Sequence, residues 1–76
     1  MKLKEALTNA RKILDNSKIE DAPLEAEILL RHILKIDRAK FYTELDNDLT
    51  DDQEQDYLKL IERRSQGEPS AYITGH

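Results

Sequence analysis

"DAPLEAEILLRHILK", residues 21–35, decides the fold. At about 100° per residue, Ala26, Leu29, Leu30, Ile33 and Leu34 fall on one face, while Leu24 and Ile28 point the other way. A helix that is apolar on two sides over its first turns needs neighbours on both. The segment is therefore expected at the centre of a helical domain, running from about Ala22 to Lys35. Asp21 supplies an N-cap, and Pro23 suits a first turn, where a missing N–H does no harm. Arg31, His32 and Lys35 continue the opposite side and are expected in solvent.

The flanking segments supply the neighbours. From Lys2 to about Ser17, Leu3, Leu7, Ala10 and Leu14 recur at helical spacing, with Ala6 and Ile13 beside them. The remaining face mixes acids with bases and the stripe lacks aromatics, which favours a core-facing helix over a membrane-surface one. On the other side, "KIDRAKFYTELD" predicts a short helix capped by Asp37, with Phe41, Tyr42 and Leu45 buried. A fourth helix follows. Thr50 and Gln53 form a capping-box pattern. Asp51, Asp52 and Glu54 complement the positive end of the helix dipole. Tyr57, Leu60 and Ile61 carry the stripe, flanked by Leu58, and Gly67 and Pro69 stop the helix.

Nothing reads as a strand before Pro69. "SAYITG" (residues 70–75) could begin one, since Tyr72, Ile73 and Thr74 favour extended structure, but a lone strand has no partner in this chain. The expected fold class is all-α, a small orthogonal or irregular bundle of four main helices with room for a fifth short turn at the C-terminus. Residues after about Pro69 are expected to be poorly ordered unless Tyr72 or Ile73 folds back onto the bundle.

Composition bounds what such a bundle can do. A chain of 76 residues makes one domain, and a domain of this size buries only about 60% of the surface its unfolded chain exposes, so a deep enclosed site is not expected. The net charge of −4 argues against nucleic acid as the main partner. There are no cysteines, hence no disulfide and no thiolate metal site, which fits a cytoplasmic location. The N-terminus lacks the apolar core of a signal peptide, and no apolar run approaches the roughly 20 residues of a membrane span.

No catalytic, cofactor-binding or metal-binding residue emerges. His32 has isoleucines at i±4 rather than carboxylates, and His76 is the last residue. Ser17, Ser65 and Ser70 lie in caps or turns without a histidine nearby in sequence. Asp46, Asp48, Asp51 and Asp52 lack the glycine and the spacing of a calcium loop and read as helix-capping acids. Two glycines cannot build a phosphate-cradling loop. Arg63 and Arg64 admit two readings. Arg64 lies on the apolar stripe, so its stem can pack on the core edge while the guanidinium reaches helix-end carbonyls or Glu68. Alternatively, the pair grips a partner's carboxylates or phosphates.

"LIERRSQGEPSAYITG" (residues 60–75) resembles the segment that ends the N-terminal helical domain of the HemK/PrmC family. The family pattern is roughly R-R-x-x-G-E-P-x-A-Y-I-x-G, matched here by Arg63, Arg64, Gly67, Glu68, Pro69, Ala71, Tyr72, Ile73 and Gly75. Upstream, Asp21, Ala22, Glu25, Ala26, Leu29, Leu30, His32 and Leu34, followed by Arg38, are similar to the family's D-A-x-x-E-A-x-x-L-L-x-H-x-L stretch. Members are S-adenosylmethionine-dependent protein-(glutamine-N5) methyltransferases acting on peptide-chain release factors in translation termination.

The resemblance implies that residues 1–68 are a substrate-recognition domain and that residues 69–76 begin a linker to a Rossmann-like methyltransferase domain. That domain would carry the glycine-rich cofactor loop and the N-P-P-Y motif, neither of which occurs here. The implied partners are a release factor, with its Gly-Gly-Gln glutamine, and the catalytic half of the same chain, with no membrane and no direct nucleic acid. Arg63, Arg64, Glu68 and Tyr72 are the candidate partner or interdomain contacts. The alternatives are a general helical protein–protein interaction domain and a helical nucleic-acid module using Arg31, Arg38, Arg63 and Arg64.

Overall fold

A computed structural model describes residues 1–75; His76, weighed above as a metal ligand, lies outside the described residues. Five helices follow one another: α1 (Leu3–Asn16), α2 (Ala22–Leu34), α3 (Arg38–Thr43), α4 (Asp51–Ser65) and α5 (Ser70–Thr74). Among the described residues there is no strand, and the fold is an all-α bundle. Its centre is α2, which packs against α1, α4 and α5, while α1 and α4 also pack on each other.

The core is built from the expected stripes. Leu3, Ala6, Leu7, Ala10 and Leu14 of α1 meet Ala22, Ala26, Leu29 and Leu30 of α2 and Tyr57 and Ile61 of α4. Alanines at facing positions let the helices approach closely. Tyr57 crosses the gap from α4 and donates its hydroxyl to the Ala26 carbonyl at 2.7 Å, so its buried oxygen is satisfied. Burial raises the Tyr57 phenol above its ordinary range.

The N-termini of α3 and α4 follow local chemistry, and that of α2 does not. Thr50 and Gln53 form the reciprocal capping box: Gln53 N–H donates to Thr50 Oγ1 at 3.1 Å, and Thr50 N–H donates to Gln53 Oε1 at 2.9 Å. Asp37 caps α3 by accepting from Lys40 N–H at 2.8 Å. Asp21 stands at the N-cap of α2 as expected, yet it makes no side-chain cap bond. Its backbone is left-handed (φ 55°), which does not give the extended geometry that aims a capping carboxylate.

The start of α1 is held from a distance. Leu3 N–H donates to the Asn47 carbonyl at 3.0 Å and Lys4 N–H to the Leu45 carbonyl at 3.1 Å, while Leu49 N–H donates back to Met1 O at 2.9 Å. An antiparallel bridge joins Lys2 to Asp48. Salt bridges from Lys4 to Asp46 and from the Met1 ammonium to Glu54, both 2.8 Å, flank this strap. Leu49, inside it, is buried.

Leu24, on the side of α2 expected to find a second neighbour, is 43% exposed, and further expectations also need correcting. Tyr42 is 55% exposed rather than buried, and Leu45 is only half-buried, leaving Phe41 as the sole fully buried residue of α3. Arg31 is half-buried against α2's own Glu27 instead of lying free in solvent. Residues 70–74 take the fifth short turn allowed for after Pro69, as a helix, and not the extended form that Tyr72, Ile73 and Thr74 favour locally. Ile73 turns inward from it and is 8% exposed, because packing against α2 and α4 outweighs the local preference for extended structure.

Candidate functional site

The four candidate contact residues cluster near the end of α4. Gln66 is its C-cap, and Gly67 takes the left-handed conformation (φ 100°) that a Schellman motif requires. Gly67 N–H donates to the Arg64 carbonyl at 3.0 Å and Glu68 N–H to the Arg63 carbonyl at 3.2 Å, satisfying two helix-end acceptors. The turn brings Glu68 back beside Arg63, and their side chains form a salt bridge. Pro69 then starts α5.

Arg64 takes a different partner. Its guanidinium reaches across to Glu25 in the first turn of α2, Nη2 to Oε1 at 3.1 Å, with both side chains about five-sixths buried. The stem packs on the core edge, but the acid it meets is Glu25, 39 positions away, and not Glu68. The pair is incomplete: Arg64 Nε and Glu25 Oε2 are buried without a hydrogen-bond partner. These two atoms would make the second arm of a bidentate fork.

Tyr72 faces solvent and is 78% exposed. The corner thus presents an exposed aromatic ring and a surface ion pair, with a half-satisfied ion pair behind them. Arg63 and Glu68 are brought together, Arg64 is turned inward, and Tyr72 points out.

A second cluster escapes sequence reasoning. Glu27 is 5% exposed and accepts from Arg38 Nε at 2.8 Å and from the Tyr42 hydroxyl at 2.9 Å, with Arg31 Nη1 at 3.5 Å. Burial pushes its carboxyl up, but the bonds from Arg38 and Tyr42 and the charges of Arg38 and Arg31 outweigh it, so Glu27 titrates below the ordinary carboxylate range. The hydrogen bond to Glu27 raises the Tyr42 phenol. This cluster ties α3 to α2, consistent with a structural clamp. The signal in the sequence is a glutamate three residues before Leu30 and seven before Leu34, on the apolar side of α2.

Reaction chemistry finds little to use. Among the described residues no group of three or more His, Cys, Asp or Glu side chains could hold a metal ion. His32 is exposed. No helix is long and apolar enough to cross a membrane. At its surface the corner presents ion-pairing groups and an aromatic ring.

Comparison with known proteins converges on one family. The family model described as the PrmC N-terminal domain matches residues 5–75. A release factor glutamine methyltransferase of Koribacter versatilis is 42% identical over the whole chain, which covers 27% of that protein. One from Leptospira interrogans is 35% identical over 90% of the chain and 24% of its own length. A bifunctional methyltransferase of Rickettsia typhi is 37% identical over 96% of the chain, which is 14% of that protein. The chain therefore spans about a quarter or less of these relatives. No solved structure matches it at a significant level.

Proposed function

The chain belongs to the family of PrmC N-terminal domains, and from that premise we propose that it is the recognition domain of an S-adenosylmethionine-dependent methyltransferase. The parent enzyme N5-methylates the glutamine of the Gly-Gly-Gln motif in peptide-chain release factors, in the cytoplasm. This domain docks the protein substrate and is not itself catalytic. The observation that carries the reading is the family match over residues 5–75, joined to relatives that are release factor glutamine methyltransferases. Docking is supported by a surface corner bearing Tyr72 and the Arg63–Glu68 pair, near the end of the matched segment.

The residues present do not fit S-adenosylmethionine. The two glycines, Gly67 and Gly75, follow α4 and α5 with left-handed backbone. A methyl group at either α-carbon would meet nothing within 4 Å, so neither glycine makes a close backbone cradle. The most apolar groove, of about 200 Å³, falls below the roughly 300–1,000 Å³ of small-molecule sites, and a larger hollow of about 310 Å³ is lined only by Lys4, Glu5, Thr8 and Asn9 along α1. Cofactor binding is accordingly assigned to the catalytic domain of the parent.

Calorimetry tests both halves of the proposal. A bacterial release factor is expected to give saturable binding to the 76-residue chain, and S-adenosylmethionine none. Micromolar binding of S-adenosylmethionine would overturn the non-catalytic role. No release-factor binding at high concentration would leave a general helical interaction domain as the better reading.

A further inference from the structure

Away from the α4–α5 corner, a groove of about 200 Å³ runs between α1 and α4. Ala6, Ala10 and Ile13 form one wall, and Tyr57, Leu58 and Ile61 the other. Met1 and Leu58, 51% and 49% exposed, stand at its edge, so a large part of each apolar side chain meets water. Its polar lining is limited to Asn9 and Glu54, and Glu54 is already paired with the Met1 ammonium. That leaves too few convergent polar groups to orient a small ligand.

The line of α4 that runs through Leu58 is acidic. Asp51, Glu54 and Glu62 stand at i−7, i−4 and i+4 from it, along one line of α4. Residues 44–56 carry seven carboxylates and no lysine or arginine. Four of the seven are in ion pairs, Glu44 with Lys40, Asp46 with Lys4, and both Asp48 and Glu54 with the Met1 ammonium. Among the described residues no ion pair engages Asp51, Asp52, Asp56 or Glu62.

We infer that this groove seats a basic amphipathic helix of the protein substrate, an aliphatic side chain entering between α1 and α4 while its lysines or arginines meet the acids along α4. The small side chains of Ala6 and Ala10 keep the groove open, which suits the helix-in-groove mode. Charge complementarity selects the partner: basic flanks are attracted and acidic ones repelled. A second copy of this chain is disfavoured by the same field, because a two-fold contact through this face would set one acidic flank of α4 against another. The assignment rests on the release-factor reading above and adds to it a surface distinct from the Tyr72 corner.

The test is an NMR titration of the ¹⁵N-labelled chain with a bacterial peptide-chain release factor, repeated with Leu58→Asp, Asp51→Lys/Glu62→Lys and the control Leu24→Asp. Leu58 and Leu24 are both surface side chains, so these variants are expected to fold, with helical content checked by circular dichroism. Expected are shifts at Asn9, Ile13, Leu58 and Ile61 and at least a roughly tenfold loss of affinity for Leu58→Asp. The double charge reversal should weaken binding at low salt, and Leu24→Asp should leave it within about twofold. Binding that shifts other residues and ignores Leu58→Asp overturns the groove while leaving the docking role intact. No binding of the parent chain overturns both.

Discussion

Glu25 and Glu27 stand two residues apart on α2, about 200° around the helix, and each meets arginine. Glu27 is nearly sealed and fully occupied by Arg31, Arg38 and Tyr42. Glu25 meets only Arg64, and one buried atom on each side of that pair lacks a partner. The difference teaches where this small bundle completes its polar networks. Toward α3 the charges are closed into a clamp. Toward α4 they are left half-satisfied.

Substitutions can break or sharpen that contrast. The largest effect is expected from Leu30→Ala, which cuts the shared core beneath both glutamates: Leu30 is fully buried, and the loss should be about 2–5 kcal/mol by chemical denaturation. An unchanged midpoint would show that α2 does not organise the core. Next comes Glu27→Ala, expected to cost about 2–3 kcal/mol, since it strips the acceptors from Arg38 and Tyr42. The exposure of Arg38 keeps the value from being larger.

The Glu25–Arg64 pair should prove weaker. Arg64→Met is expected to cost about 1 kcal/mol, and Glu25→Leu combined with Arg64→Met to lie within about 1 kcal/mol of the parent. A double-mutant cycle in which this pair couples as strongly as Glu27 with Arg38 would erase the distinction.

Acid provides the finest probe. Glu27 has a folded-state pKa below its unfolded value. Its contribution is therefore fully present above the ordinary carboxylate pKa and is lost as pH falls through the depressed folded value. The stability gap between parent and Glu27→Gln should shrink over that acidic window and stay flat near neutrality. A gap that widens on acidification would reverse the sign of the argument.

Much of this architecture is legible in the chain. The stripes of α1, α2 and α4, the Thr50–Gln53 box, the Asp37 cap and the stop at Gly67 are all local signals, carried by residues within a few positions of one another. What escapes is long-range or against type. A helical glutamate ordinarily reads as solvated, which hides Glu27. Tyr42 reads as a core residue because its hydroxyl's partner lies 15 positions upstream. The candidate site is visible as a motif, yet Arg64's true partner is not, being 39 positions away. Residues 70–74 read either as extended or as a short turn, because the packing of Ile73 that makes them helical is supplied by α2 and α4.

The strap between residues 1–4 and 45–49 has a consequence for how the bundle opens and closes. Its three backbone bonds close one loop of roughly forty residues, and the entropy of closing that loop is lost once, whichever bond forms first. The bonds are therefore cooperative: after one is made, the others add little further ordering. In native-state hydrogen exchange the amides of Leu3, Lys4 and Leu49 are expected to open as a single unit, with one common free energy. Such a unit would hold α1 in register with the turn before α4, so that the two walls of the α1–α4 groove part together or not at all.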